Sequence, residues 1–94
     1  MLFMVIERFR NQDPIPVYKR VRDPGITFPE GLTYVGSWIE PNFDRCFQLM
    51  ECDDLRLFQQ WVLHWRGLGA TIEIVFVVSS KETSSIVVPF LQEI

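Results

Sequence analysis

The chain has one histidine, two cysteines and five glycines among its 94 residues, and each scarcity removes a class of chemistry. His64 with Cys46, Cys52 and scattered carboxylates does not form a metal-ligand cluster of recognised spacing, so no metal or cofactor is expected. No glycine-rich loop leads into a helix to cradle a phosphate, and no G-x-S-x-G elbow presents a serine nucleophile. Positive charge is also short. Nine Lys and Arg against twelve Asp and Glu give a net charge of −3 and a pI near 5.0, and the basic residues are dispersed, so the electrostatic footprint of a nucleic-acid binder is missing. No apolar run reaches the roughly 20 residues that a bilayer-spanning helix needs, and no membrane role is expected.

The two cysteines lie six residues apart on one expected strand, about 20 Å at about 3.3 Å per residue, far beyond the roughly 7 Å reach of a disulfide. They read as free thiols in a reducing compartment. The opening MLFMVIERFR is apolar but has neither a basic leader nor a small-residue cleavage site, so it reads as a strand and not as a signal peptide. A cytoplasmic setting follows as the expectation.

What is present is apolar sequence with clear periods; 48% of the residues are hydrophobic and three are Trp. Leu32–Cys52 reads as two strands joined by PNFD, whose proline cannot donate to a ladder and whose Asn and Asp favour turns. Along the first of these strands, strict alternation sets Tyr34, Gly36, Trp38 and Glu40 against Thr33, Val35, Ser37 and Ile39. Leu2–Phe9 reads as an earlier strand with apolar residues on both faces except at Glu7 and Arg8. Asp13-Pro14 signals a short helix running to about Val21, and Asp23-Pro24-Gly25 stops or kinks it. The stretch 26–31 is rich in turn formers.

Asp53 or Asp54 caps a second helix from Leu55 to about Gly67, whose broad apolar arc includes Phe58, Trp61 and Trp65. Ala70–Ser79 is a final strand, SSKETSS a polar loop, and Ile86–Ile94 an apolar tail that docks as an edge strand limited by Pro89 or across a partner. The domain is thus expected over residues 1–80, with residues 81–94 as a tail docked on its own sheet edge or on a partner.

The order strand, helix, strand, strand, helix, strand is that of an α+β, ferredoxin-like βαββαβ fold. Two helices cover one face of a four-stranded antiparallel sheet, yet the first and last strands are apolar on both. A second copy packed sheet to sheet is the economical cover, so a homodimer is expected.

Several segments also carry a resemblance. MLFMVIERF, DPIPVY, PEGLTYVGSW, NFDRCFQLME and the helix with spaced tryptophans resemble a family of short bacterial proteins of unknown function, over about Met1 to Val78. PEGLTYV and RCFQLME are the most specific parts. The resemblance implies the dimeric α/β-barrel group of ferredoxin-like folds and implies no activity. The chain departs from it at Asp23-Pro24-Gly25, where relatives continue a basic first helix, and the tail after Ser80 lies outside it.

Candidate site residues follow from polar or aromatic groups at apolar positions. Arg45 offers a planar fork to an anionic ligand, or a salt bridge to Glu40 or Glu51. Tyr18, Trp38 and Trp61 line a flat apolar pocket for a small organic molecule, or are core. His64 sits at the edge of the helical apolar arc, as a proton donor or acceptor or as a boundary residue bonded to backbone or water. It is also the one base available to a Cys46 nucleophile. Glu7, Gln48, Glu51 and Glu73 interrupt otherwise apolar strands, and some of them must meet as ion pairs or face a wet pocket.

Two functions remain open. One is a non-catalytic dimer that binds a small organic molecule or a protein partner. The other is a cofactor-free enzyme, monooxygenase- or isomerase-like by analogy of fold, acting on a small organic substrate with His64 or Glu7 as base.

Overall fold

Phe3, Val5, Glu7 and Phe9 alternate with Leu2, Met4, Ile6 and Arg8, and the chain forms strand β1 over Leu2–Phe9 with the first set buried and the second partly or fully exposed. A computed structural model describes residues 1–23 and 28–91. Pro24 and Gly25 of the expected helix stop and residues 26–27 of the turn-rich stretch lie outside the described residues, as do residues 92–94. The remaining elements are α1 (Ile15–Arg22), β2 (Thr33–Ile39), β3 (Arg45–Glu51), α2 (Arg56–Trp65), β4 (Ala70–Val77) and α3 (Ser80–Leu91).

The four strands form one antiparallel sheet in the order β2-β3-β1-β4. That order, with a crossover helix in each half, is consistent with the expected ferredoxin-like α+β fold. β1 takes a central place because both its faces are apolar, which suits a strand paired on both edges.

Both helices begin where their sequence signals stand. Asp13 Oδ1 accepts the backbone N–H of Ile15 at 3.0 Å, and Asp54 Oδ1 accepts that of Arg56 at 3.0 Å, meeting N–H groups that have no partner within the helix. Asp53, the other candidate cap, instead accepts from the N-terminal amine at 3.2 Å. From α2, Phe58, Trp61 and Trp65 are buried, a spacing of three and four that puts all of them on one stripe. They meet Phe3, Val5, Cys46 and Met50 in the core between helices and sheet. The close approach of α1 to the start of β4 depends on Gly69, at φ +99°, where a Cβ would lie 3.1 Å from Pro16 Cβ.

β2 departs from strict alternation. Tyr34 is opposite Met50 and Ser37 opposite Gln48, so three steps along β2 match two along β3 and a bulge absorbs the extra residue. The bulge carries Tyr34 to the helix side with Ser37 and Ile39, while Trp38, opposite Phe47, faces the other way.

The tail is a helix and not an edge strand. Ser79 Oγ accepts the N–H of Glu82 at 3.1 Å and donates to Glu82 Oε1 at 3.2 Å, so the expected loop SSKETSS is the opening of a capped helix. Pro89 stands in the last turn, where the N–H it lacks is one of few bonds lost. Every residue of α3 is exposed. Among the described residues, Ser80–Leu91 is thus an exposed helix lying off the sheet edge. Ile86, Val87, Phe90 and Leu91 form an apolar stripe at helical spacing, with Phe90 72% exposed.

The sheet face away from α1 and α2 is also uncovered among the described residues. It presents Met4, Ile6, Phe47, Leu49 and Val75 with Trp38, which is 59% exposed.

Candidate functional site

Polar side chains on the helix face of the sheet point into a space that the two helices do not fill. A cleft of about 330 Å³ lies there, walled by Tyr18 and Val17 from α1, by Trp61 and Trp65 from α2, by Phe28, and by Tyr34 and Ile39 from β2. Its sheet side carries Glu7, Cys46 and Gln48, which the register makes close neighbours: Glu7 is opposite Cys46, and Val5 is opposite Gln48. The aromatic side is ordered as a stack. Phe28 lies between Trp61 and Tyr34 with ring centroids 5.8 Å and 6.1 Å away, and Trp65 meets Trp61 edge-on at 6.3 Å. Such offset and edge contacts hold rings in fixed positions.

Glu7 is the group whose chemistry is most altered. It is 8% exposed, and among the described residues none donates a hydrogen bond to its carboxylate. Burial alone pushes its pKa up from 4.5 to about 7, because the charged form loses its water without gaining a counter-ion. Burial, with the Glu7 charge as a second cause, pushes the Cys46 thiol up to about 11. That disfavours the thiolate a nucleophile needs. Burial also raises the Tyr18 phenol, with smaller contributions from Cys46, Glu7 and Tyr34.

Two further polar contacts shape the cleft. Tyr34 and Ser37 share a hydrogen bond between hydroxyls at 2.7 Å, a contact that the bulge makes possible. Gln48 Nε2 donates to Met50 Sδ at 3.2 Å, leaving the amide oxygen without a donor among the described residues. Trp65 Nε1 is fully buried with no acceptor there.

The structure brings together Glu7, Tyr18 and Trp61 and separates the rest. Arg45 and Trp38 lie on the opposite sheet face, outside the cleft that Tyr18 and Trp61 line. Arg45 forms a two-pronged ion pair with Glu40, Nε to Oε1 at 2.6 Å and Nη2 to Oε2 at 2.9 Å, and stacks over the Phe47 ring at 5.1 Å. The hydrogen bond from Arg45 holds the Glu40 carboxyl below its ordinary range. His64 is exposed, with Nδ1 2.9 Å from the Gln60 carbonyl oxygen, and does not line the cleft. That leaves Cys46 with no histidine on the cleft wall to act as its base, and Cys46 and Cys52 are both free and buried.

Sequence reasoning missed Tyr34, since alternation puts it beside Trp38 and a bulge leaves no mark in hydropathy. Gln48 did leave a signal, an amide between Cys46 and Met50 on a strand otherwise apolar on that side. Among the described residues no group of three His, Cys, Asp or Glu side chains is placed to hold a metal. No helix among them is long and apolar enough to cross a membrane.

Fold and cleft together define a class: an α+β protein of ferredoxin-like topology with an aromatic cleft between helices and sheet and a buried carboxyl in it. Within that class, the chain belongs to the family described as Domain of unknown function (DUF3303), which matches residues 1–91. The match runs past Val78 and takes in α3. No curated protein and no solved structure matches the chain.

Proposed function

We propose that this is a small dimeric binding protein of the α/β-barrel kind that holds a small organic molecule in the cleft beneath α1 and α2. The observation that supports this is Glu7. A core position between Val5 and Phe9 is better filled by an aliphatic side chain, and an ionised carboxyl there lowers stability. A group retained at such a cost, facing a cleft, is what a binding site requires. The cleft volume falls within the range of small-molecule sites, and its lining is mostly apolar with a few polar groups, as in such sites.

Trp61 and Trp65 border the cleft, so occupancy is expected to change tryptophan emission and raise thermal stability. A ligand present at 100 times its dissociation constant adds about 2.7 kcal/mol. A panel of small aromatic and aliphatic compounds that moves neither emission nor melting temperature would remove this reading.

A homodimer through the open sheet face is part of the proposal. Its support is the band Met4, Ile6, Phe47, Leu49 and Val75, which no element covers among the described residues. Sheets packed face to face bury such a band at about 10 Å separation. The stripe on α3 offers a second apolar surface to the same partner. Light scattering is expected to report twice the chain mass of 11.1 kDa, and Leu49→Glu to return it to the single-chain value. A wild-type protein that scatters as one chain would refute the dimer. The two free buried thiols suit a reducing, cytoplasmic setting.

The second reading, a cofactor-free enzyme, is favoured by the same carboxyl. A group that titrates near pH 7 in a cleft is well matched to act as a general base. Turnover of a bound compound that is abolished in Glu7→Gln while binding persists would favour the enzyme; binding without turnover favours the carrier.

A further inference from the structure

Resting on the reading of the cleft as a binding site, we infer that its ligand is a primary organic amine with a flat apolar body, its ammonium group held by Glu7 and Gln48. Beside the Tyr18 hydroxyl, which can donate or accept, the polar groups that reach the cleft without partners among the described residues are two acceptors. Glu7 is more than nine-tenths buried and receives no hydrogen bond among the described residues, and the Gln48 amide oxygen is likewise free once Nε2 is committed to Met50 Sδ. The two sit diagonally across the β1–β3 pair on the same face, which places both side chains at one end of a small ligand. A primary ammonium carries three N–H donors and can serve both.

No cationic donor faces the cleft among the described residues, where the Tyr18 hydroxyl is a neutral donor. No Lys or Arg lines it, and Arg45, the strongest anion-binding group on the sheet, faces the other side and is engaged with Glu40. The Tyr34 and Ser37 hydroxyls are bonded to one another. The indole N–H of Trp65 lacks an acceptor but is fully buried, so it does not present itself to a ligand. A carboxylate or phosphate placed here would face Glu7 with no counter-charge, whereas a cation gains both the carboxylate and the ring faces of the aromatic side. The stack of Trp61, Phe28 and Tyr34 makes that side flat and apolar, which selects a planar body.

The test uses three probes that share a phenyl ring and differ at the head group: phenethylamine, 2-phenylethanol and 3-phenylpropanoate. Each is titrated into the full chain while tryptophan emission and melting temperature are followed. Phenethylamine is expected to bind about tenfold or more tightly than the alcohol, as a charge-assisted hydrogen bond exceeds a neutral one, and the carboxylate least. In Glu7→Gln the preference for the amine over the alcohol disappears.

A second measurement needs no variant. With the Glu7 carboxyl titrating at about 7, amine affinity in the wild type rises about tenfold from pH 6 to pH 8, as the carboxylate forms and the amine stays protonated. The other titratable groups facing the cleft are Tyr18, Tyr34 and Cys46, and burial pushes the Tyr18 phenol and the Cys46 thiol upward, away from that interval. Alcohol or carboxylate binding as tightly as the amine, or an amine affinity flat between pH 6 and 8, would overturn the amine assignment and leave the cleft as a binding site. Binding by none of the three would overturn both.

Discussion

Glu7→Gln is expected to abolish a fall in stability that the wild-type protein shows as pH rises from about 4.5 to about 7. The sign follows from where the proton sits. In the unfolded chain the carboxyl titrates at its ordinary 4.5, and in the folded chain burial raises it to about 7. Between those values the folded state holds a proton that the unfolded state has lost, so raising the pH favours unfolding. The loss is up to about 1.4 kcal/mol per pH unit and roughly 3 kcal/mol over the interval. It is complete above pH 7, where both states are ionised.

For a domain of this size that corresponds to a melting temperature lower by on the order of 10 °C or more. Glutamine keeps the shape and has no charge to desolvate, so the variant is expected to melt at nearly constant temperature across the same interval and above the wild type at pH 8. The carboxyls of Glu40 and Asp54, held low by hydrogen bonds from Arg45 and Arg56, act in the other direction and in a more acid window. They favour the folded state above the ordinary carboxylate range and lose that effect as pH falls below it. Thermal melts at half-unit steps from pH 4 to 8 resolve the two. A wild-type curve flat from pH 5 to 8, or a variant that tracks it, would show that Glu7 is not the buried charge described here.

Phe3→Ala is expected to cost about 3–5 kcal/mol, a large share of the roughly 5–14 kcal/mol available to a domain of this length. Phe3 is completely buried on the central strand. Its ring meets Phe58 of α2 edge-on at 4.8 Å and Phe76 of β4 at 4.9 Å, so one side chain joins β1, β4 and the second helix. Alanine leaves a void that those rings cannot close without shifting α2. Urea unfolding at fixed protein concentration should show a lower midpoint with an unchanged slope. A loss below about 1 kcal/mol would mean that the ring is not the keystone of this packing.

Much of the architecture was legible because it rests on periods that hydropathy records. Alternation gave β1, β3 and β4, and the stripe Phe58, Trp61, Trp65 gave α2. The deficit of helical cover for a sheet apolar on both faces was also readable, and the open face with Phe47 and Leu49 is that deficit in three dimensions. The expectation that charges on such strands must pair or face a pocket was met in particular cases. Glu40 pairs with Arg45, Arg8 lies 3.5 Å from Asp44, and Glu7 faces the cleft.

What could not be read rests on single residues whose effect is geometric. An apolar tail containing a proline suggested a strand, and the reciprocal bonding of Ser79 and Glu82, which makes it a helix, concerns two residues among several polar ones. Phe43 adopts a left-handed backbone at φ 61° in the PNFD connection, where Asn or Gly is the ordinary choice. The division of the candidate residues between two sheet faces was half visible. Trp38 and Arg45 stand out in the sequence as an aromatic and a guanidinium on strands, but which face carries the cleft depends on where the helices lie.

The surplus residue between Tyr34 and Ser37 makes the wall of the cleft depend on how β2 is paired as well as on which side chains it carries. Removing one residue there would leave Tyr34 two steps from Ser37 on an evenly pleated strand, still opposite Met50 and still in the stack. Pairing the strand at its present length without the bulge would instead send the Tyr34 ring to the side of Trp38. A chain shorter by one residue at this spot therefore keeps the same aromatic wall, and it is a straightening of the strand at its present length that would take the wall away.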